Sequence, residues 1–292
     1  MNRIPLRPIT DAERQRFEDD GVVCLQGLVD ADWVARMQRA VDHVLAHPGR
    51  HGADLQADGA PGRFAYDNYL WTFNGDFRAM AFESPMAEIA AQVMASQTVN
   101  LVFDFILVKE PHTPTPTKWH QDMPANPVEG RQVCGVWVSL DHVTRESGAV
   151  EWIKGSHKWP NRFEATVTGD PKRHSYLAGH HGATSSGPTM DPTEPMPDIE
   201  ASRAKYDIVS FDTAPGDMIV SSLLVTHGAP GNLTDRRRRA FGYRFAGDDA
   251  HYAVRTSSRA IKPLHEPNLN HGDRFPSDPA HPVFPRLWPR AH

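Results

Sequence analysis

The 292-residue sequence predicts a mainly β protein, a sandwich or barrel carrying helices at its N-terminal end. Three observations support this. Helix signals are confined to the region before Val99. From Val99 onward the apolar pattern changes to short β-branched and aromatic runs separated by Pro and Gly. The 25 prolines are spread through the chain, which favours a loop-rich β protein over a helix bundle.

Thr10 and Glu13 fit a capping box that opens a short helix ending near Gly21, and Val22–Leu25 reads as a strand. Asp30 can cap a second helix with Val34, Met37, Val41, Val44 and Leu45 on one face. Ser84 before Pro85 opens a third helix running to about Ala95. Strands are then expected at 99–108, 133–140, 149–153, 208–211, 218–225 and 238–245. In the second of these, Cys134, Val136 and Val138 alternate with Gly135, Trp137 and Ser139. Pro215-Gly216-Asp217 signals a tight turn just before the strand expected to deliver His227. Residues 158–205 are weakly periodic and rich in Pro, Gly, Ser and His, the composition of an active-site lid or a disordered insert. One domain over 1–292 is expected: a helical part at 1–98, a β core at 99–255 with 158–205 inserted, and a tail at 256–292 that wraps the surface.

A formal net charge of -5 and a pI near 6.3 argue against a general nucleic-acid binder. No apolar run approaches the length of a membrane span, and Met1-Asn2-Arg3-Ile4-Pro5 lacks an apolar signal region, so a cytoplasmic location is expected. The two cysteines, Cys24 and Cys134, sit in apolar strand-like segments and are expected as buried thiols rather than a disulfide.

Chemistry concentrates in two segments, Trp119-His120-Gln121-Asp122 and Thr226-His227-Gly228, the second followed by Arg236 to Arg239. Two imidazoles and one carboxylate on one face of a metal leave positions open, an arrangement suited to iron(II) oxygenases. His120 and Asp122, two residues apart, fall on the same face of an extended segment. A His-x-Asp triplet alone is weak evidence among 16 histidines, and a second occurs at His271-Gly272-Asp273. Only His120 has a later His and Arg at the ends of further strands, so His271 and Asp273 are expected in a surface loop. His227 taken alone reads more readily as a satisfied buried histidine, and the downstream arginine is what favours a ligand. A keto acid chelating the metal would need a fixed two-donor partner for its distal carboxylate, a role suited to arginine. Of the four arginines, Arg238 begins the apolar run Ala240-Phe241-Gly242-Tyr243 and is best placed to face inward, whereas the others read as a solvated rim.

These residues resemble the phytanoyl-CoA dioxygenase family of iron(II)/2-oxoglutarate oxygenases, from Asp11 to about Tyr252. The resemblance rests on Phe17-Glu18-Asp19-Asp20-Gly21-Val22-Val23, Gly27-Leu28-Val29-Asp30, Lys109-Glu110-Pro111 and the His120 segment. It continues through Glu146-Ser147-Gly148-Ala149, Gly155-Ser156-His157, His227-Gly228, Asn232 and Arg238-Arg239-Ala240. It implies a double-stranded β-helix, the cupin-like jelly roll, with helices packed on one side. It implies iron(II) on His120, Asp122 and His227, 2-oxoglutarate on Arg238, and O2 as co-substrate. Trp137 matches a family position lining the co-substrate pocket, with a core aromatic as the alternative, and Ser139 is a weaker candidate on the same face. Lys109 reads equally as a rim lysine or a functional one. A carboxylate at Asp122 disfavours the halogenating branch, where a small residue leaves room for chloride.

The expected activity is hydroxylation of an aliphatic carbon of a small molecule, with release of succinate and CO2. The alternatives are a non-oxidative metal-dependent jelly-roll enzyme, such as an isomerase or hydrolase, and a non-catalytic metal-binding sensor. Arg244 lies on the Arg238 face and is expected to meet a substrate carboxylate or, more commonly for such an arginine, a local acid such as Asp248 or Asp249. His180 and His181 read as part of a solvated lid. The sequence does not specify the oligomeric state.

Overall fold

The computed structural model describes residues 1–56, 59–164, 194–255, 257 and 260–290. The elements run α1 (Asp11–Asp20), β1 (Val22–Leu25), α2 (Ala31–Ala46), β2 (Ala53–Asp54), β3 (Phe64–Asn68), α3 (Gly75–Glu83) and α4 (Met86–Met94). They continue with β4 (Val99–Lys109), β5 (Thr117–His120), β6 (Val128–Glu129), β7 (Val133–Ser139), β8 (Glu151–Ile153) and β9 (Ile208–Ser210). The remainder is β10 (Met218–Ser222), β11 (His227–Ala229), β12 (Arg238–Ala246), β13 (His251–Tyr252) and β14 (Arg286–Trp288).

Local chemistry sets the N-terminal elements as expected. Thr10 and Glu13 form the reciprocal capping box of α1, and Gly21 closes that helix in the left-handed region at φ 78°. The Asp30 carboxylate accepts the Trp33 N–H at the start of α2. Helix α3 was not expected; Asn74 caps it, its side-chain oxygen accepting the N–H groups of Asp76 and Phe77.

An eight-stranded antiparallel sheet has the order β1-β10-β7-β12-β4-β3-β2, with β14 also on β4, and a four-stranded sheet has the order β5-β11-β8-β9. Between β4 and β12 the chain crosses repeatedly from one sheet to the other, which is the winding of a jelly roll. One face of the large sheet buries Val136, Val138, Val220, Phe241 and Tyr243 against Trp33, Met37, Val41, Phe77 and Ile89 of the helices. The opposite face buries Phe103, Phe105, Trp137 and Ile219 with Trp152 of the small sheet. Every residue of β7 is buried because both of its faces are covered.

The strand expected at 218–225 ends early, and a separate short strand carries His227. β10 ends at Ser222, the Ser222 hydroxyl accepts the Leu224 N–H at 3.2 Å, and the chain turns into the small sheet as β11. This crossing places His227 opposite His120 in register. The tail is more than a surface wrap, since Val283, Phe284 and Leu287 are buried and β14 pairs with β4. Most of the lid expected at 158–205, including His180 and His181, lies outside the described residues. Both cysteines are free thiols. Among the described residues no helix is long and apolar enough to cross a membrane.

Gly242 is required where β12 meets β4 and β7. A Cβ there would lie 2.6 Å from the Phe105 ring and 2.8 Å from the Val136 carbonyl oxygen. Gly242→Ala is therefore expected to lower unfolding free energy by about 1–3 kcal/mol. Urea denaturation read by circular dichroism checks this.

Candidate metal centre and its cavity

His120 ends β5 and His227 begins β11, and the pairing of these strands brings the two ring centroids to 4.2 Å. Asp122 lies beyond the end of β5 with right-handed helical backbone, φ -75° and ψ -37°, and is not on the extended segment expected for it. The turn nevertheless directs its carboxylate at both imidazoles: Oδ1 is 3.5 Å from His120 Nε2, and Oδ2 is 4.0 Å from His227 Nε2. One ligand atom from each of His120, Asp122 and His227 lies within 4.8 Å of the others, so the three could hold one metal ion. Trp119 and Gln121 point away; the Trp119 indole N–H donates to Glu200 and the Gln121 amide donates to the Leu224 carbonyl.

Both imidazoles are fixed in the tautomer a metal needs. His120 Nδ1 lies 2.7 Å from the Lys118 carbonyl and His227 Nδ1 lies 3.1 Å from the Val225 carbonyl. A carbonyl only accepts, so the proton of each neutral ring sits on Nδ1 and the lone pair of Nε2 faces the carboxylate. Burial and the neighbouring His120 push the His227 pKa down to about 4. Burial would raise the Asp122 pKa, but Arg244, His227 and His120 outweigh it and hold the carboxyl far below the usual range. The donor set near neutrality is a neutral imidazole at His227 and a carboxylate at Asp122.

The depressed His227 pKa has a stability consequence in the metal-free protein. Between the ordinary value of 6.5 and about 4, the unfolded chain takes up a proton that the folded chain does not. Stability is therefore lost as pH falls through this window, by at most about 1.4 kcal/mol per pH unit, and the loss from this residue stops growing below it. Urea unfolding of wild type and His227→Gln across the window is expected to give the steeper loss in wild type.

The three residues line a cavity of about 140 Å³, with Trp137, Arg238 and Arg244 also in its wall. Most of the remaining wall is apolar or aromatic and includes Leu55, Phe103, Phe105, Leu107 and Ile261. Arg238 is 2% exposed, its guanidinium carbon is 5.8 Å from the Trp137 ring, and it donates to the carbonyls of Leu107 and Gly148. Among the described residues no carboxylate is within ion-pair distance of Arg238, and its Nε–H has no partner. Burial lowers its pKa only to about 10, so it remains a cation. A buried cation without a carboxylate partner in a cavity wall fits the carboxylate of a keto acid, as the His-Asp-His donors fit iron(II). The Trp137 indole N–H is also buried without a partner.

The other arginines of the run face away, and two are ion-paired rather than merely solvated. Arg237 pairs with Glu110 and Asp42, and Arg239 pairs with Asp141 and Asp42.

Several expected placements differ. Ser139 is absent from the cavity wall because its hydroxyl donates to the carbonyls of Ala214 and Asp217 at the turn before β10. Lys109 is fully buried rather than at the rim; its ammonium donates to the Pro230 carbonyl and lies 4.7 Å from the Phe64 ring. Arg244 pairs with Asp122 at 2.7 Å, not with Asp248 or Asp249. Those two acids instead accept backbone N–H groups of Gln97 and Thr98, and of Arg131 and Gln132. Sequence reading also missed Phe103, Phe105 and Trp152 as cavity residues, because on apolar strands they look like any other core aromatic. His271 and Asp273 lie together in a loop near the surface, His271 exposed.

A model of the phytanoyl-CoA dioxygenase family matches residues 17–240. The phytanoyl-CoA dioxygenase domain-containing protein 1 homolog of Caenorhabditis briggsae is 27% identical over 171 residues, a match covering 56% of this chain and 52% of that protein. The chain thus spans about half the length of that relative. Among solved structures, the non-haem α-ketoglutarate-dependent carbocyclase SnoK from nogalamycin biosynthesis superposes with a TM-score of 0.73 at 19% identity, covering 98% of this chain and 100% of that one. The epimerase SnoN in complex with Fe3+, α-ketoglutarate and nogalamycin RO gives a TM-score of 0.70 at 21% identity, covering 95% and 98%.

Proposed function

The chain belongs to the phytanoyl-CoA dioxygenase family, and from that premise we propose that it is an iron(II)- and 2-oxoglutarate-dependent dioxygenase that hydroxylates an aliphatic carbon of a small organic molecule. One observation carries this reading: His120, Asp122 and His227 converge on the same cavity as Arg238, a buried cation with no carboxylate partner among the described residues. A merely structural histidine pair would not need that arginine beside it, because an unpaired buried charge is costly.

Iron(II) would be held by His120, Asp122 and His227, and with 2-oxoglutarate and O2 it supplies an oxidant for a C–H bond while releasing succinate and CO2. The protein's own work is positional. Lys118 and Val225 carbonyls orient the imidazoles, and the Arg238 fork beside Trp137 binds and orients the distal carboxylate of the co-substrate. Phe103, Phe105, Leu107 and Ile261 line the cavity around these groups and help exclude water. An apolar wall also supports a substrate with an apolar body.

The test is 2-oxoglutarate turnover with iron(II) and a substrate panel, followed by mass spectrometry of products under 18O2. Succinate formation with one labelled oxygen in the product supports hydroxylation. Succinate with an unlabelled, ring-closed or inverted product replaces hydroxylation with another oxidation. Metal-dependent conversion without succinate supports a non-oxidative enzyme instead.

A further inference from the structure

We propose that Arg244 is a positioning residue for the metal centre: it holds Oδ2 of Asp122, so that Oδ1 is the oxygen offered to the cation. Nη2 of Arg244 lies 2.7 Å from Asp122 Oδ2, and both side chains are 11% exposed. Oδ1 remains 3.5 Å from His120 Nε2, whereas Oδ2, the oxygen Arg244 holds, is 4.0 Å from His227 Nε2. A carboxylate held through one oxygen cannot rotate to chelate with both, so it presents a single donor and leaves more of the metal's positions open.

The surroundings of Arg244 are shaped for its guanidinium. Its central carbon lies 4.5 Å from the Phe105 ring and 6.0 Å from the Phe103 ring. On the adjacent strand, a Cβ at Gly135 would come within 2.7 Å of Nη1 and 3.0 Å of the guanidinium carbon. β12 pairs with β7 without a break through this position, Arg244 opposite Gly135, so regular strand alternation puts its side chain on the Arg238 face. The nearby acids that could have claimed Arg244 are occupied by backbone N–H groups, and its Nε has no partner, so Asp122 is its one charged contact among the described residues. A planar, permanently charged fork suits this place; a lysine ammonium would be a mobile point charge that loses its proton more easily when buried.

This inference rests on the metal-centre reading, and the experiment separates the two. Mn(II) is titrated into metal-free protein, without 2-oxoglutarate or substrate, and free Mn(II) is followed by electron paramagnetic resonance. Arg244→Gln is expected to weaken Mn(II) binding about 10- to 100-fold, the usual effect of losing a group that orients a metal ligand, with Arg244→Lys in between. Gly135→Ala keeps every charged group but crowds the guanidinium, and is expected to weaken binding a few-fold; it also serves if Arg244→Gln does not fold by circular dichroism. Wild-type affinity in folded Arg244→Gln, or in Gly135→Ala should Arg244→Gln not fold, overturns the inference. Absence of Mn(II) binding by wild type overturns the metal-centre reading, and this inference with it.

Discussion

Asp122→Ala is expected to abolish metal-dependent turnover and also to destabilise the metal-free fold. The first effect follows from the donor set. Loss of a group that only orients a ligand costs about 10- to 100-fold in affinity or activity, so loss of the carboxylate itself costs more than about 100-fold. The second follows from Arg244, which is 11% exposed and finds its charged partner in Asp122. Removing one member of such a pair leaves a buried charge uncompensated, at a cost of about 3–5 kcal/mol. The double variant Asp122→Ala/Arg244→Met is then expected to recover most of the stability and none of the metal binding. Thermal unfolding with and without Mn(II) separates the two effects. Asp122→Ala with unchanged thermal stability would show that the Arg244 pair contributes little.

Arg238→Met is expected to have the opposite stability signature with a comparable loss of function. Arg238 faces the cavity with no acid within ion-pair distance among the described residues, and burial lowers its pKa to about 10. Its charge is therefore a cost to the ligand-free fold, and a methionine of similar volume is expected to leave the melting temperature unchanged or higher. Binding of 2-oxoglutarate to Mn(II)-loaded protein is expected to weaken by about 2–5 kcal/mol, roughly 30- to 4,000-fold in Kd, as is usual when one partner of a buried charge pair is removed. Arg238→Lys is expected to recover little, because the two-donor fork is lost. Arg237, exposed and paired with Glu110 and Asp42, is the control whose replacement leaves this Kd within about twofold. Isothermal titration calorimetry reads all three.

Much of this arrangement was legible in the sequence because strand alternation has a short range. Arg238 separates from Arg237 and Arg239 by side of sheet, and Trp137 separates from Val136 and Val138 in the same way. The jelly roll follows from a family resemblance carried by segments spread along the chain, and the large and small sheets alternate as that fold requires. What was not legible depends on distance or on context. Asp122 follows a strand of the small sheet and Arg244 lies on a strand of the large one, so they meet only when the two sheets pack, and nothing local in either segment announces the other. Ser139 sits on the inward face of β7 as alternation dictates, but a neighbouring turn captures its hydroxyl. Lys109 ends a strand where a rim position is ordinary; only the Pro230 carbonyl and the Phe64 ring reveal it as buried. β3 was missed because Phe64–Asn68 is short and ends in Asp67 and Asn68, polar residues that are buried here.

The central claim is that His120, Asp122, His227 and Arg238 act as one site. A crystal soaked anaerobically with iron(II) and 2-oxoglutarate tests it most directly. The expected result is one metal bound by His120 Nε2, an Asp122 carboxylate oxygen and His227 Nε2, with 2-oxoglutarate chelating it and its far carboxylate on the Arg238 guanidinium. Iron bound elsewhere, or 2-oxoglutarate bound without contact to Arg238, would contradict it.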